Sequence, residues 1–227
     1  MIDIEQLTIA YDGKIVIENL NLSLQSGLVH GLVGLNGSGK TTFLNTLFGF
    51  KKPILGKVFW KNQSIKRWDI AYLEAENFFY SNITGVEYLQ LFSNDLSDID
   101  VWNELLQLPL NDLVEYYSTG MKKKLALFAV LKLNREILIL DEPFNGLDLE
   151  TTELVKKIIK ILRGQGKTIL LTSHVFEIMM QVSDKIHLLE KGTISTNVEK
   201  PEFEGFYAIL KEKIDKNQDI LLNKIHF

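Results

Sequence analysis

The stretch Gly34-Leu35-Asn36-Gly37-Ser38-Gly39-Lys40-Thr41-Thr42 fits the pattern G-x-x-x-x-G-K-[ST]. Glycines at these spacings let successive backbone N–H groups turn toward one centre and cradle phosphates, and a helix starting behind them adds its positive dipole end. Lys40 would reach the β- and γ-phosphates of a nucleotide, and Thr41 would offer its hydroxyl to Mg²⁺. A hundred residues on, the apolar run Ile137-Leu138-Ile139-Leu140 delivers Asp141-Glu142-Pro143. An aspartate at the C-terminal end of a buried strand is how such loops acquire a second Mg²⁺ ligand, usually through water. Glu142 is then placed to orient or deprotonate an attacking water. Thr172-Ser173-His174 closes a further apolar run. A lone histidine is more often structural, but a strand end beside a phosphate site assigns His174 to the γ-phosphate. His30, His187 and His226 fall in no motif.

These residues need a scaffold, and its period is readable. Ile2 to Tyr11 and Ile15 to Leu24 alternate around Asp12-Gly13 and predict an antiparallel pair. Val29 to Val33 predicts a short buried strand that runs into the glycine loop, and Thr41 to Phe48 continues with helical spacing. Ile137 to Leu140 and Thr168 to Thr172 alternate with helical stretches at Glu150 to Leu162 and from Val175, which predicts a mostly parallel sheet. Residues 84 to 133 hold no convincing strand; Val86 to Phe92, Val101 to Leu108 and Met121 to Leu133 read as helices of an inserted lobe. Glu204 to Phe227 reads as a polar helix with scattered apolar residues. The fold class expected is α/β: a P-loop (RecA-like) core, an N-terminal antiparallel β-subdomain and an inserted α-helical subdomain.

With 227 residues, 46% of them hydrophobic, the chain has enough apolar material for a single large domain. A formal charge of −4 argues against nucleic acid as a partner. The absence of cysteine excludes thiol catalysis and disulfides and fits a cytoplasmic setting. The N-terminus lacks a signal-peptide pattern, and no apolar run approaches the roughly 20 residues that span a bilayer.

Over roughly residues 1 to 195 the chain resembles the ATP-binding subunit of an ABC transporter. That resemblance implies a single domain over 1–227, with the β-subdomain and RecA-like core at 1–76 and 134–198, a helical signature subdomain at 77–133 and a short helical tail at 199–227. It implies that Tyr11 stacks on adenine, that Asp141 and Glu142 are the magnesium and base pair, and that His174 is the switch histidine. Asn145-Gly146-Leu147-Asp148 resembles the loop through which two subunits sense one another, although Asp148 would serve equally as a helix cap. Tyr117-Ser118-Thr119-Gly120-Met121 falls where the family has its Leu-Ser-Gly-Gly-Gln signature. There Ser118 and the Gly120 N–H would face ATP bound to the opposite subunit.

Two positions depart from the family pattern. Thr119 replaces the first signature glycine, and Ala75 falls where the family has a glutamine that touches Mg²⁺ and the attacking water; Glu74 or Glu76 would substitute only after a one-residue shift. Phe78, Phe79 and Tyr80 read equally as core or as the lining of a groove for a membrane partner. Lys122, Lys123 and Lys124 read as lysines with buried stems and solvated heads. The function implied is an ATPase using ATP and Mg²⁺ as a head-to-tail dimer with a second copy or a paralogous subunit. It would sit on the cytoplasmic face of the membrane through a separate transmembrane permease subunit and resembles exporter subunits of the drug, antibiotic or lantibiotic-resistance type. A soluble ATPase of the same family, or a nucleotide switch with little hydrolysis, is the alternative.

Overall fold

Strands β1 (Ile2–Tyr11) and β2 (Lys14–Leu24) pair antiparallel and close through Asp12 and Gly13, whose φ values of 47° and 77° meet the demand of a two-residue hairpin. A register shift between Ile4 and Leu7 falls at Gln6, with φ 49° and its N–H bonded to Asn21 Oδ1 at 2.9 Å. The bulge lets Ile2 and Ile4 on one side of it, and Leu7 and Ile9 on the other, all point inward. In the computed structural model, which describes residues 1–222, the next elements are β3 (Val29–Val33), α1 (Lys40–Phe48), β4 (Leu55–Trp60), β5 (Gln63–Ser64) and β6 (Ile70–Leu73). The inserted lobe follows as α2 (Gly85–Gln90), α3 (Ile99–Leu106) and α4 (Thr119–Lys132). Then come β7 (Ile137–Leu140), α5 (Leu149–Gly164), β8 (Thr168–Thr172), α6 (Phe176–Val182), β9 (Lys185–Glu190), β10 (Thr193–Glu199) and α7 (Phe203–Leu222). Residues 223–227, which include His226 and the end of the expected tail helix, lie outside the described residues.

Two sheets result. One is antiparallel, in the order β2-β1-β4-β5; the other runs β10-β9-β3-β8-β7-β6, parallel except for β10. The central strands are buried on both faces, and alternate residues serve different cores. On one face Val29, Val33, Leu138, Leu140, Ile169 and Leu171 meet α4, α5 and α6; on the other Leu32, Ile137, Ile139 and Leu170 meet α1 and the antiparallel sheet. Helix α4 is shared: Ala126, Leu127 and Val130 enter the sheet core, while Leu125, Phe128 and Ala129 enter the lobe. The lobe therefore rides on α4, whose first residues belong to the stretch 117–121 expected to be the signature. Between residues 84 and 133 the described backbone forms no strand, only a single bridge between Thr84 and Leu113.

His30 on β3 and His187 on β9 are both buried, with His30 Nδ1 3.0 Å from His187 Nε2. Gln25 C=O lies 2.9 Å from His30 Nε2, and Asn197 Oδ1 2.7 Å from His187 Nδ1. Burial pushes His30 down from 6.5 to about 4 against the opposing pull of the Gln25 carbonyl, and burial lowers His187 in the same direction against its bond to Asn197. The folded chain thus binds these protons less readily than the unfolded chain. The stability contributed by these neutral rings is fully present above pH 6.5 and is expected to fall by about 3 kcal/mol as pH drops from 6.5 toward 4. Melting temperature measured across that range checks this; a flat profile would contradict it.

Candidate phosphate-binding site

The glycine loop is held tightly between β3 and α1. A Cβ on Gly34 would stand 2.5 Å from the Leu189 carbonyl and 2.6 Å from Ser38 Oγ. Gly39 has φ 102°, and a Cβ there would lie 2.8 Å from Val16 Cγ1 on β2. Both positions require glycine: β9 crowds the loop at Gly34, and the hairpin of the antiparallel sheet crowds it at Gly39. Gly39 caps α1 without a side-chain acceptor, and no acidic residue occupies the first turn. The helix therefore presents its N-terminal amides to whatever enters the loop. Lys40 Nζ donates to Gly34 O at 2.7 Å and Leu35 O at 3.3 Å, arching over the loop. Burial lowers its pKa, and the charges of Glu142 and Asp141 oppose that shift. Ser38 Oγ is buried with no hydrogen-bond partner among the described residues.

Below the loop, strand ends bring the carboxylates together. Asp141 is 1% exposed, and its N–H donates to Leu73 O at 2.8 Å, fixing the end of β7 to the end of β6. Its Oδ2 accepts from Thr41 Oγ1 at 2.9 Å and its Oδ1 from Thr172 Oγ1 at 2.6 Å. The Thr172 hydroxyl, having given its proton to Asp141, accepts the Glu142 N–H at 2.9 Å. Glu142 has φ 50°, uncommon outside glycine, and its Oε2 lies 2.9 Å from His174 Nδ1 and accepts the His174 N–H at 3.3 Å. In a neutral ring that donates from Nδ1, Nε2 is left as an acceptor. Contact with a phosphate through Nε2 then requires either an imidazolium or release of Glu142.

A cavity of about 860 Å³ runs from Tyr11 past Asn36, Gly37 and Lys40 to Asp141 and Glu142. Thr41 and Thr42 also line it. Tyr11 is 55% exposed, and Lys51 Nζ sits 4.4 Å from the centre of its ring. Leu35 projects outward, and together with Asn36 and His174 it borders a second cavity under α7.

The stretch expected to be the signature lies elsewhere. None of residues 118–121 lines the 860 Å³ cavity. Ser118 caps α4, accepting the Met121 N–H at 3.2 Å, and is exposed, as is Thr119. Gly120 packs beside the 145–148 turn, where an added Cβ would stand 3.2 Å from Gly146 O. Asp148 caps α5 by accepting the Thr151 N–H at 2.7 Å, which also holds its carboxyl below the usual range. The residues expected to contact nucleotide thus form two groups, and one chain does not bring them to a single cavity.

The solvated reading of the three lysines is corrected for Lys123. Its side chain is buried at 5% exposure, and its ammonium donates to Glu74 O at 3.3 Å and Ala75 O at 3.2 Å. Lys124 Nζ likewise donates to Leu106 O at 3.3 Å. Sequence reasoning missed this because three adjacent lysines look alike until the 74–75 segment is known to cross α4. It also gave no role to Thr172, the hinge between the two carboxylates, although Thr172 stood at the predicted strand end. Glu74, exposed over much of its surface, has its carboxyl raised by local desolvation and then by the charge of Asp141.

The aromatic triplet splits. Phe79 packs inward on Tyr88 at 4.8 Å between ring centres, whereas Phe78 and Tyr80 are exposed and meet edge to face at 5.1 Å. They line a groove of about 350 Å³ with Phe48, Phe50, Leu91 and Phe92.

The sequence pattern of the family described as ABC transporter matches residues 17–145. A bacitracin transport ATP-binding protein of Enterococcus faecalis is 31% identical over 212 residues, covering 87% of this chain and 69% of that protein. A lantibiotic transport ATP-binding protein of Streptococcus pyogenes is 27% identical over 223 residues, covering 94% and 97%. The fold is similar to a dimeric ATP-binding cassette in a post-hydrolysis state bound to ADP and Pi, with a TM-score of 0.77, 21% identity, and 88% and 99% of the two chains covered.

Proposed function

Because the chain belongs to the ABC transporter family, we propose that it binds and hydrolyses ATP as a head-to-tail dimer and powers a separate transmembrane subunit, in the direction of export. The observation that carries the reading is the continuous chain of hydrogen bonds Thr41–Asp141–Thr172–Glu142–His174 beneath an open phosphate loop.

The residues fit Mg²⁺ and a triphosphate. Thr41 and Asp141 present adjacent oxygens, Ser38 offers a buried hydroxyl without a partner among the described residues, and the α1 amides are uncapped. Thr41 and Asp141 would hold the ion, which when bound neutralises developing charge on the phosphates. Lys40 would exchange its two carbonyl contacts for phosphate oxygens, a stronger charge-assisted pairing. Glu142, oriented through Thr172 and His174, would take a proton from the attacking water. Tyr11 at the rim would stack on the base.

Dimerisation is supported by the separation of Ser118 and Gly120 from the chain's own cavity. At the start of α4, the Ser118 hydroxyl and Gly120 N–H would serve ATP on the partner, with Thr119 and Met121 shaping the turn and the Asp148 turn packed alongside. The groove of Phe78 and Tyr80 is where we place the transmembrane subunit, as exposed aromatics around a cleft accept an apolar helix face. That contact would hold the chain at the cytoplasmic face of the membrane. Export follows the bacitracin and lantibiotic transport proteins it is similar to. A second reading, a nucleotide switch with slow hydrolysis, is favoured by Ala75, whose methyl side chain can neither ligate an ion nor hydrogen-bond a water.

Phosphate release from the purified chain decides between these readings. We expect Mg²⁺-dependent release that falls about 10²–10³-fold in Lys40→Ala, the cost of losing one strong phosphate donor. ATP binding without release would favour the switch; absence of both would contradict the proposal.

A further inference from the structure

We infer that Lys123 is a positioning residue that ties the signature helix to the 74–75 segment, making the half-site lent to a partner and the half-site used by the chain itself one mechanical unit. The inference rests on the ATPase reading above. Lys123 lies five residues beyond Ser118 on α4 and is buried, a rare state for lysine unless its charge is satisfied. Two of its three protons go to the carbonyls of Glu74 and Ala75, 49 and 48 residues away in sequence. Glu74 directly follows Leu73, whose carbonyl accepts the Asp141 N–H. A short path thus runs from Ser118 through Lys123 and the 74–75 backbone to the end of β6 and on to Asp141 and Glu142.

Electrostatics agree with this geometry. Burial disfavours the ammonium, and the charges of Asp141 and then Glu142 favour it, so both carboxylates act on Lys123. Ala75 has no polar side-chain atom, so its part in the tie is made by backbone. A lysine is long enough to reach that backbone from α4 and supplies several donors at one point. A movement of α4 when a partner's nucleotide engages Ser118 would therefore displace residues 74–75 and, through them, the floor of the chain's own site.

Lys123→Met keeps the stem and removes the donors. We expect kcat for phosphate release to fall about 10- to 100-fold, the usual cost of removing a residue that orients a site. KM for ATP should change less than about threefold, because no contact with substrate is lost. Amide hydrogen exchange over residues 74–77 should quicken, and Lys123→Arg, which keeps charge and donors, should recover part of kcat and of the protection. Wild-type kcat together with unchanged exchange in Lys123→Met would overturn the inference. Should Lys123→Met not fold, Lys123→Gln, with a shorter donor, is measured instead; wild-type exchange and kcat there would overturn it equally. If the wild-type chain releases no phosphate, the ATPase reading fails, while exchange over 74–77 still tests the tie.

Discussion

Glu142→Gln is expected to reduce phosphate release by about 10²–10⁴-fold, the range for losing a general base, while ATP continues to bind. The substitution is nearly isosteric. The glutamine carbonyl can still accept from His174 Nδ1 and from the His174 N–H, and the backbone N–H still meets Thr172 Oγ1, so all three tethers seen at Glu142 survive. What disappears is the negative charge and the capacity to take a proton from water. If binding closes the dimer and hydrolysis reopens it, Glu142→Gln should accumulate as an ATP-filled dimer, read by sizing with and without ATP. Release at the wild-type rate would remove Glu142 from the role of base. The effect should exceed that of changing His174, which acts on water only through Glu142 in this geometry.

Much of that site is legible in the sequence because its residues sit at the ends of apolar runs. Val29–Val33, Ile137–Leu140 and Thr168–Thr172 are buried throughout, and each hands its next residues to the same edge of the parallel sheet. The hairpin of β1 and β2 is likewise announced by Asp12-Gly13. The three lobe helices fall within about two residues of their expected limits, the usual uncertainty of helix ends.

Other elements leave no comparable trace. Strand β6, Ile-Ala-Tyr-Leu, leads into no glycine loop or carboxylate motif that would mark it, and β10, Thr-Ile-Ser-Thr-Asn-Val-Glu, is an edge strand with mostly polar side chains. Pairing with β7 and β9 makes them strands, and such long-range pairing has no local signature. The same limit hides Lys123: its environment is set by a segment 48 residues away. Gly34 and Gly39 could be read as loop glycines, but the reason that each must be glycine is long-range: Gly34 abuts Leu189 O on the neighbouring strand β9, and Gly39 abuts Val16 where the antiparallel sheet meets the loop.

The second large effect concerns the signature. Ser118 is exposed at the start of α4, and its hydroxyl accepts the Met121 N–H, its one partner among the described residues. Ser118→Arg would cost about 1 kcal/mol through the lost cap, too little to unfold the chain, yet in the proposed head-to-tail dimer it would place a bulky side chain where the partner's phosphate would approach. Phosphate release should therefore collapse to the level of Lys40→Ala, although Ser118 touches nothing in its own cavity.

Mixing these two variants tests the head-to-tail dimer most directly. A Lys40→Ala chain keeps its signature and a Ser118→Arg chain keeps its phosphate loop, so a mixed dimer contains one composite site with both halves intact. Each variant alone should be nearly inactive. An equal mixture should recover at most about a quarter of the wild-type rate, since half of the dimers are mixed and each has one working site of two, and less in proportion to how strongly the Lys123 tie makes each site depend on the other. A mixture no faster than the average of the two variants measured separately, or a Ser118→Arg chain that alone releases phosphate at the wild-type rate, would contradict the account.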